Sequence, residues 1–205
     1  MYKFIRIYCL STVFALMLLS SNSKAQVYNR IFSNAIAQVG LEFKMPKGFK
    51  EKDSVTLYNC GDRKMRTGTI IYSLINKDSS VVIAFFNIMN TGGGKYNPAE
   101  NIVRTRNYHA DSVKNTTFLY DEKLVKSTLN ADVAGEFSRN CPNNFLEKYN
   151  NNRVVFLANK ILGEASIVYF YTDKAKPVIK EIIKDNAKIL TFKALKQSAT
   201  SNVNF

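Results

Sequence analysis

The chain has 205 residues, a net charge of +13, 46% hydrophobic residues, three cysteines, one histidine and no tryptophan. Its length and apolar content suit one ordinary domain able to bury a core, and exclude a disordered or fibrous chain. The basic residues are interspersed with acids, as in Glu51-Lys52-Asp53 and Asp121-Glu122-Lys123, and no run of five like charges marks a nucleic-acid arm.

Residues 1–25 read as a secretory signal peptide: Lys3 and Arg6 precede an apolar run from Cys9 to Leu19, and Ser23-Lys24-Ala25 is a small-x-small cleavage pattern. The run is shorter than the roughly 20 residues a spanning helix needs. Cys9 lies at its start rather than its end, which points away from lipid anchoring. The mature domain is expected over residues 26–205, exported to the periplasm or beyond the cell, with a frayed tail from about 194. Loss of Lys3, Arg6 and Lys24 with the signal lowers the net charge to +10. Such a surface suits solubility, and it also suits an anionic envelope polymer. Cys60 and Cys141 remain, and in an oxidising compartment two such thiols are expected to pair; two separate buried thiols are the alternative.

In chain order, strand signals dominate. Ala35 to Met45 places Val39, Leu41, Phe43 and Met45 on one face at period two, and Pro46 to Phe49 breaks it as a turn. Ser54 to Asn59 is a short β-rich run. Thr67–Ile75 and Val81–Met89 read as a hairpin around the turn residues Asn76 to Ser80. Val81 to Phe86 is apolar on both faces, which requires an interior strand covered on two sides.

A helix is expected from Asn97, with Asn97 as cap, Pro98 at the first helical position and Glu100 reaching back. Thr116 to Arg139 is ambiguous between strand and helix, with Gly135 arguing against a long helix. A second hairpin surrounds Gly163, from Arg153–Leu162 and Glu164–Thr172. Asp173 is placed as cap of a last helix carrying Val178, Ile179, Ile182, Ile183 and Ala187 on one face, and Lys188–Lys193 as the final strand.

Three stretches, Gly40 to Glu51 with its Pro-x-Gly-Phe turn, Asn97 to Arg106, and Ile167 to Phe192, resemble the Mog1/PsbP-like family. The resemblance implies an α+β fold: a mostly antiparallel sheet with helices packed on it as an α/β/α sandwich. It also implies a binding or assembly module without shared catalytic residues; function itself does not follow from fold.

The residues that look most like a site are Gly92, Gly93, Gly94 and Lys95. A phosphate loop needs a glycine five positions before Gly94 and a Ser or Thr after Lys95. Met89 and Tyr96 stand there instead, so the stretch reads as a mobile connector. His109, with Asp111 and Ser112 beside it, is too local for a catalytic triad and reads as a surface histidine at a helix end. Glu100, Asp111, Asp121, Glu122, Asp132, Glu136 and Glu164 are carboxylates a hydrolase would draw on, with nothing in their spacing to rank them. Tyr169, Phe170 and Tyr171 read as core and cross-strand pairs. Asn115-Thr116-Thr117 matches a glycosylation acceptor.

No catalytic residue, cofactor or metal ligand is assigned. The expectation is a non-catalytic binding or accessory module of a bacterial envelope, meeting an envelope protein or anionic polymer. The alternative is a small exported hydrolase.

Overall fold

The computed structural model of the chain describes residues 30–52, 56–61, 68–90, 118–139 and 141–194. Helix α1 covers residues 30–38. Six strands follow: β1 Leu41–Phe43, β2 Phe49–Glu51, β3 Thr56–Tyr58, β4 Gly68–Ile70, β5 Tyr72–Asn76 and β6 Val81–Met89. Then come β7 Phe118–Leu119, α2 Glu122–Leu129, β8 Val133–Phe137, β9 Asn151–Asn159 and β10 Gly163–Tyr171. A 3-10 turn at Asp173–Ala175, α3 Ile179–Asp185 and β11 Leu190–Phe192 close the domain.

Seven strands make one antiparallel sheet in the order β2-β5-β6-β10-β9-β8-β7, and β1–β11 and β3–β4 form two separate ribbons. The fold is therefore α+β, built on a large antiparallel sheet with helices packed on it.

β6 lies between β5 and β10, and every side chain from Val81 to Phe86 is buried. Successive strand residues point to opposite faces, so this one strand feeds two cores. Val81, Ile83 and Phe85 enter a core with Phe32 of α1, Val125 and Leu129 of α2, and Ile179 and Ile183 of α3. Val82, Ala84 and Phe86 enter a second core with Ile70, Phe145, Tyr149, Val154, Val168 and Phe170. The strand covered on both sides is thus observed. Among the described residues all three helices serve the first face. The second is closed by the β3–β4 ribbon and the segment 141–149.

Three boundaries differ from the sequence expectation. The strand expected over Ala35–Met45 is the end of α1, a turn and the three-residue β1. Phe32, Ile36 and Val39 recur at helical spacing and all face the core, while the period-two pattern begins only at Val39; Met45, its last member, is exposed. Gly40, at φ 62, ends the helix by donating its N–H to Ala37 O at 3.1 Å.

The strand expected over Thr67–Ile75 bends at Ile71 into β4, paired with β3, and β5, paired with β6. The bend is what folds the β3–β4 ribbon over the second face. Asp173 does not cap α3, whose N-cap position is Val178 with no side-chain bond. The Asp173 carboxylate instead accepts from Asn150 Nδ2 at 2.8 Å and Asn151 Nδ2 at 3.1 Å, holding the start of β9 to the end of β10.

The ambiguous 116–139 stretch resolves into strand, helix and strand. Asp121 Oδ1 accepts from Leu124 N at 2.9 Å to cap α2, and Val125 and Leu129, four apart, bury its apolar edge. Gly135 lies in β8, where a Cβ would meet Phe118 O and the Phe156 ring, so only glycine lets β7 approach. The helix expected from Asn97, the signal segment and the tail from 195 lie outside the described residues.

Candidate functional site

The sequence-predicted residues scatter rather than converge. Gly92, Gly93, Gly94, Lys95, Glu100, His109, Asp111, Ser112 and the Asn115 acceptor lie outside the described residues. Among the described carboxylates, Asp121 caps α2 and Glu122 pairs with Lys126 at 2.8 Å. Asp132 accepts from Lys160 N at 2.7 Å, Glu136 pairs with Arg153 at 2.6 Å, and Glu164 stands in β10 opposite Ala158 and Met89. Asp121, Glu122, Asp132 and Glu136 each serve a cap, a backbone bond or an ion pair, and no group of three His, Cys, Asp or Glu among the described residues is placed to hold a metal. No helix among them is long and apolar enough to cross a membrane.

Cys60 and Cys141 do meet. Their sulfurs lie at disulfide distance, 1.99 Å, with Cα atoms 4.8 Å apart across a separation of 81 residues. Cys60 follows β3 and Cys141 follows β8, so the contact joins the ribbon to the edge of the main sheet. Hydrogen bonds reinforce it: Asn143 N donates to Cys60 O at 3.2 Å, Asn143 Nδ2 to Asn59 O at 3.2 Å, and Tyr58 Oη to Asn143 O at 3.0 Å. Gly61, at φ 83, turns the chain there, and its N–H donates to Asn59 Oδ1 at 2.9 Å.

Two residues before Cys141 stands Arg139, a residue the sequence reading passed over. Its backbone is pinned twice by Asn152 on β9: Arg139 N donates to Asn152 Oδ1 and Asn152 Nδ2 donates to Arg139 O, both at 3.0 Å. Its guanidinium lies over the Phe137 ring, 5.3 Å from the centroid. No carboxylate among the described residues pairs with it. Desolvation by the surrounding protein lowers its pKa, and the nearby Tyr58 hydroxyl is the group that opposes this. Tyr58 is itself raised, mainly by burial, with Arg139 pulling it back. Tyr58 is therefore neutral at ordinary pH and does not balance the arginine charge.

Tyr58 itself packs into an aromatic cluster. Phe145 stacks on Phe170 at 4.1 Å, and Tyr58 meets both edge-on, at 5.4 and 4.9 Å. The Arg139 guanidinium thus lies over Phe137 beside this cluster, with no carboxylate partner among the described residues. It is not an acid or base, since arginine keeps its proton throughout the working pH range. The signal in the sequence is the β8 alternation: Gly135, Phe137 and Arg139 share a parity, which puts an arginine in line with an apolar face just before a cysteine.

A second polar group sits on the helix-bearing face. Arg153 and Glu136 pair there beneath Tyr120, Tyr169 and Tyr171. Burial, then Glu136, raises Tyr120 to about 12. Tyr169 is raised further, chiefly by burial. A raised folded-state pKa leaves stability intact below the ordinary tyrosine value of 10.0 and removes it as pH climbs toward the folded value. Cooperative unfolding is thus expected above pH 10, with tyrosinate absorbance rising together with loss of the folded circular-dichroism signal. Independent titration of every tyrosine near 10.0 in a folded protein would contradict it.

Set against family models, curated proteins and solved structures, this chain has no match.

Proposed function

We propose that this protein is an exported, non-catalytic binding module of a bacterial envelope, a PsbP-like sandwich that receives an anionic group at Arg139. The observation that carries the reading is the desolvated guanidinium without a carboxylate among the described residues. A half-buried charge left without a counter-ion costs free energy, and a protein that keeps one has a use for it. The basic export-type start, the net charge of +13 and cysteines at disulfide distance agree with an oxidising compartment rich in anionic polymers. The dispersal of the described carboxylates into caps and ion pairs argues against the hydrolase alternative.

The test is an NMR titration of the exported protein at low salt with sodium acetate, phosphate and sulfate. At least one anion is expected to move the Arg139 Nε–Hε resonance saturably, and Arg139→Gln to abolish the same saturable shift at the Cys141 amide. If no anion saturates, the reading falls. A contact driven only by the general basic surface would instead weaken steeply with salt and survive Arg139→Gln.

A further inference from the structure

We infer that the helix-bearing face of the sheet carries a second binding site, independent of Arg139, in which Glu136 and Arg153 hold a neutral oligosaccharide against the exposed ring of Phe118. Strand register brings the parts together. Phe118 on β7 lies directly opposite Glu136 on β8, and Arg153 on β9 directly opposite Tyr169 on β10. Residues opposite one another across antiparallel strands share a face. Arg153 Nη1 joins the two pairs by donating to Glu136 Oε1 at 2.6 Å. Tyr171 and Tyr169 belong to the core on this face, and Tyr120 packs against it. Arg139 has the opposite parity to Glu136 and lies across the sheet.

This row holds more polar groups than the protein satisfies. Tyr169 is 1% exposed and Tyr171 8%, yet neither hydroxyl, nor that of Tyr120, bonds to a described residue. A buried hydroxyl without a partner costs free energy, and native proteins meet that cost with an ordered water or a ligand. Glu136 Oε2 and the other Arg153 N–H groups are also unengaged among the described residues. The Glu136 and Arg153 side chains are 18% and 24% exposed, so the row opens to solvent. Beside it Phe118 is 63% exposed, with Tyr120 edge-on at 6.1 Å.

These groups select a class of ligand. The ion pair is neutral as a unit, and Glu136 opposes any anion that Arg153 attracts. What the pair and the tyrosines offer is donors and acceptors side by side: a carboxylate that accepts, a guanidinium that donates and hydroxyls that do both. The neighbouring hydroxyls of a sugar match that alternation, and its C–H face packs flat on an exposed aromatic ring. Among the described residues Glu136 is the one carboxylate in the row. Hydrolysis needs a second across the scissile bond, so the site binds the sugar without cleaving it.

The experiment titrates the exported protein with maltotriose, cellotriose and chitotriose. It follows the Arg153 Nε–Hε resonance and the tyrosine emission, which no tryptophan obscures. At least one sugar is expected to move both saturably, with an affinity that raised ionic strength leaves unchanged. Phe118→Ala is expected to weaken that sugar about ten-fold, and Phe118→Tyr to retain it. Phe118 is a surface residue, and the circular-dichroism spectrum checks that the fold is kept. Arg139→Gln is expected to leave sugar affinity unchanged. Saturation by none of the three sugars overturns the site and leaves ordered water as the partner of Tyr169. Sugar binding that survives Phe118→Ala, or that Arg139→Gln abolishes, places the sugar elsewhere and overturns it too. Either failure leaves the anion reading at Arg139 to its own test.

Discussion

Reducing the contact between Cys60 and Cys141, or replacing both with serine, is expected to lower the unfolding free energy by about 4–5 kcal/mol on the chain-entropy argument. The large value follows from the loop: the two residues are 81 apart in sequence, and opening so long a closure returns much freedom to the unfolded chain. The loss also reaches the site. Tyr58 is two residues before Cys60 and Arg139 two before Cys141, so the same link holds the hydroxyl and the guanidinium together. The bonds from Asn143 to Cys60 and Asn59 and from Tyr58 to Asn143 remain after reduction. At about 1 kcal/mol each they hold the segment only weakly. Urea unfolding with and without reductant measures the first effect, and anion affinity of the reduced protein the second. Two alkylatable cysteines in the untreated exported protein, or a stability change below about 1 kcal/mol, would contradict it.

Phe85→Ala is expected to be the most damaging single truncation in the core, at about 3–5 kcal/mol. Phe85 is fully buried at the centre of the sheet. Its ring lies 4.9 Å from Phe32, 5.7 Å from Phe43 and 5.7 Å from Tyr72. These rings come from four parts of the chain: α1, β1, β5 and β6. Phe32 stacks on Tyr72 at 4.4 Å and meets Phe43 edge-on at 5.2 Å, so an alanine at 85 would leave a hole that three rings cannot fill without breaking their own contacts. The expected signature is a lower denaturation midpoint with the urea slope preserved. A change under about 1 kcal/mol would mean that the aromatic cluster does not hold α1 to the sheet.

How much of this was legible in the sequence varies by element, and the reasons are physical. β6 was plain because six consecutive apolar residues admit only an interior strand, and the hairpin at Gly163 because two β-rich runs flank a turn. At Gly163 a Cβ would strike Met89 O, so the glycine that marked the turn also permits the β6–β10 approach. α1 was hidden because its helical triad, Phe32, Ile36 and Val39, runs into a period-two pattern beginning at Val39. α2 was hidden because its eight residues carry only two buried side chains, Val125 and Leu129, with Asp121 as the one sharp signal.

The bend at Ile71 follows from tertiary pairing, with β3 recruiting β4, and no local residue announces it. The candidate site was half legible. Cys60 and Cys141 were paired on compartment chemistry, whereas Arg139 looks like any surface arginine until β8 fixes which way its parity faces. The glycine run Gly92–Gly94 and His109 lie outside the described residues.

The measurement that bears most directly on the central claim is the stability of Arg139→Met in the absence of any added anion other than chloride. If the guanidinium is kept for a ligand, its removal relieves a desolvated charge. The variant should then be at least as stable as the parent, by on the order of 1 kcal/mol, while losing anion binding. A loss of about 3–5 kcal/mol, the penalty for breaking a buried ion pair, would show that Arg139 serves the fold and would contradict the account.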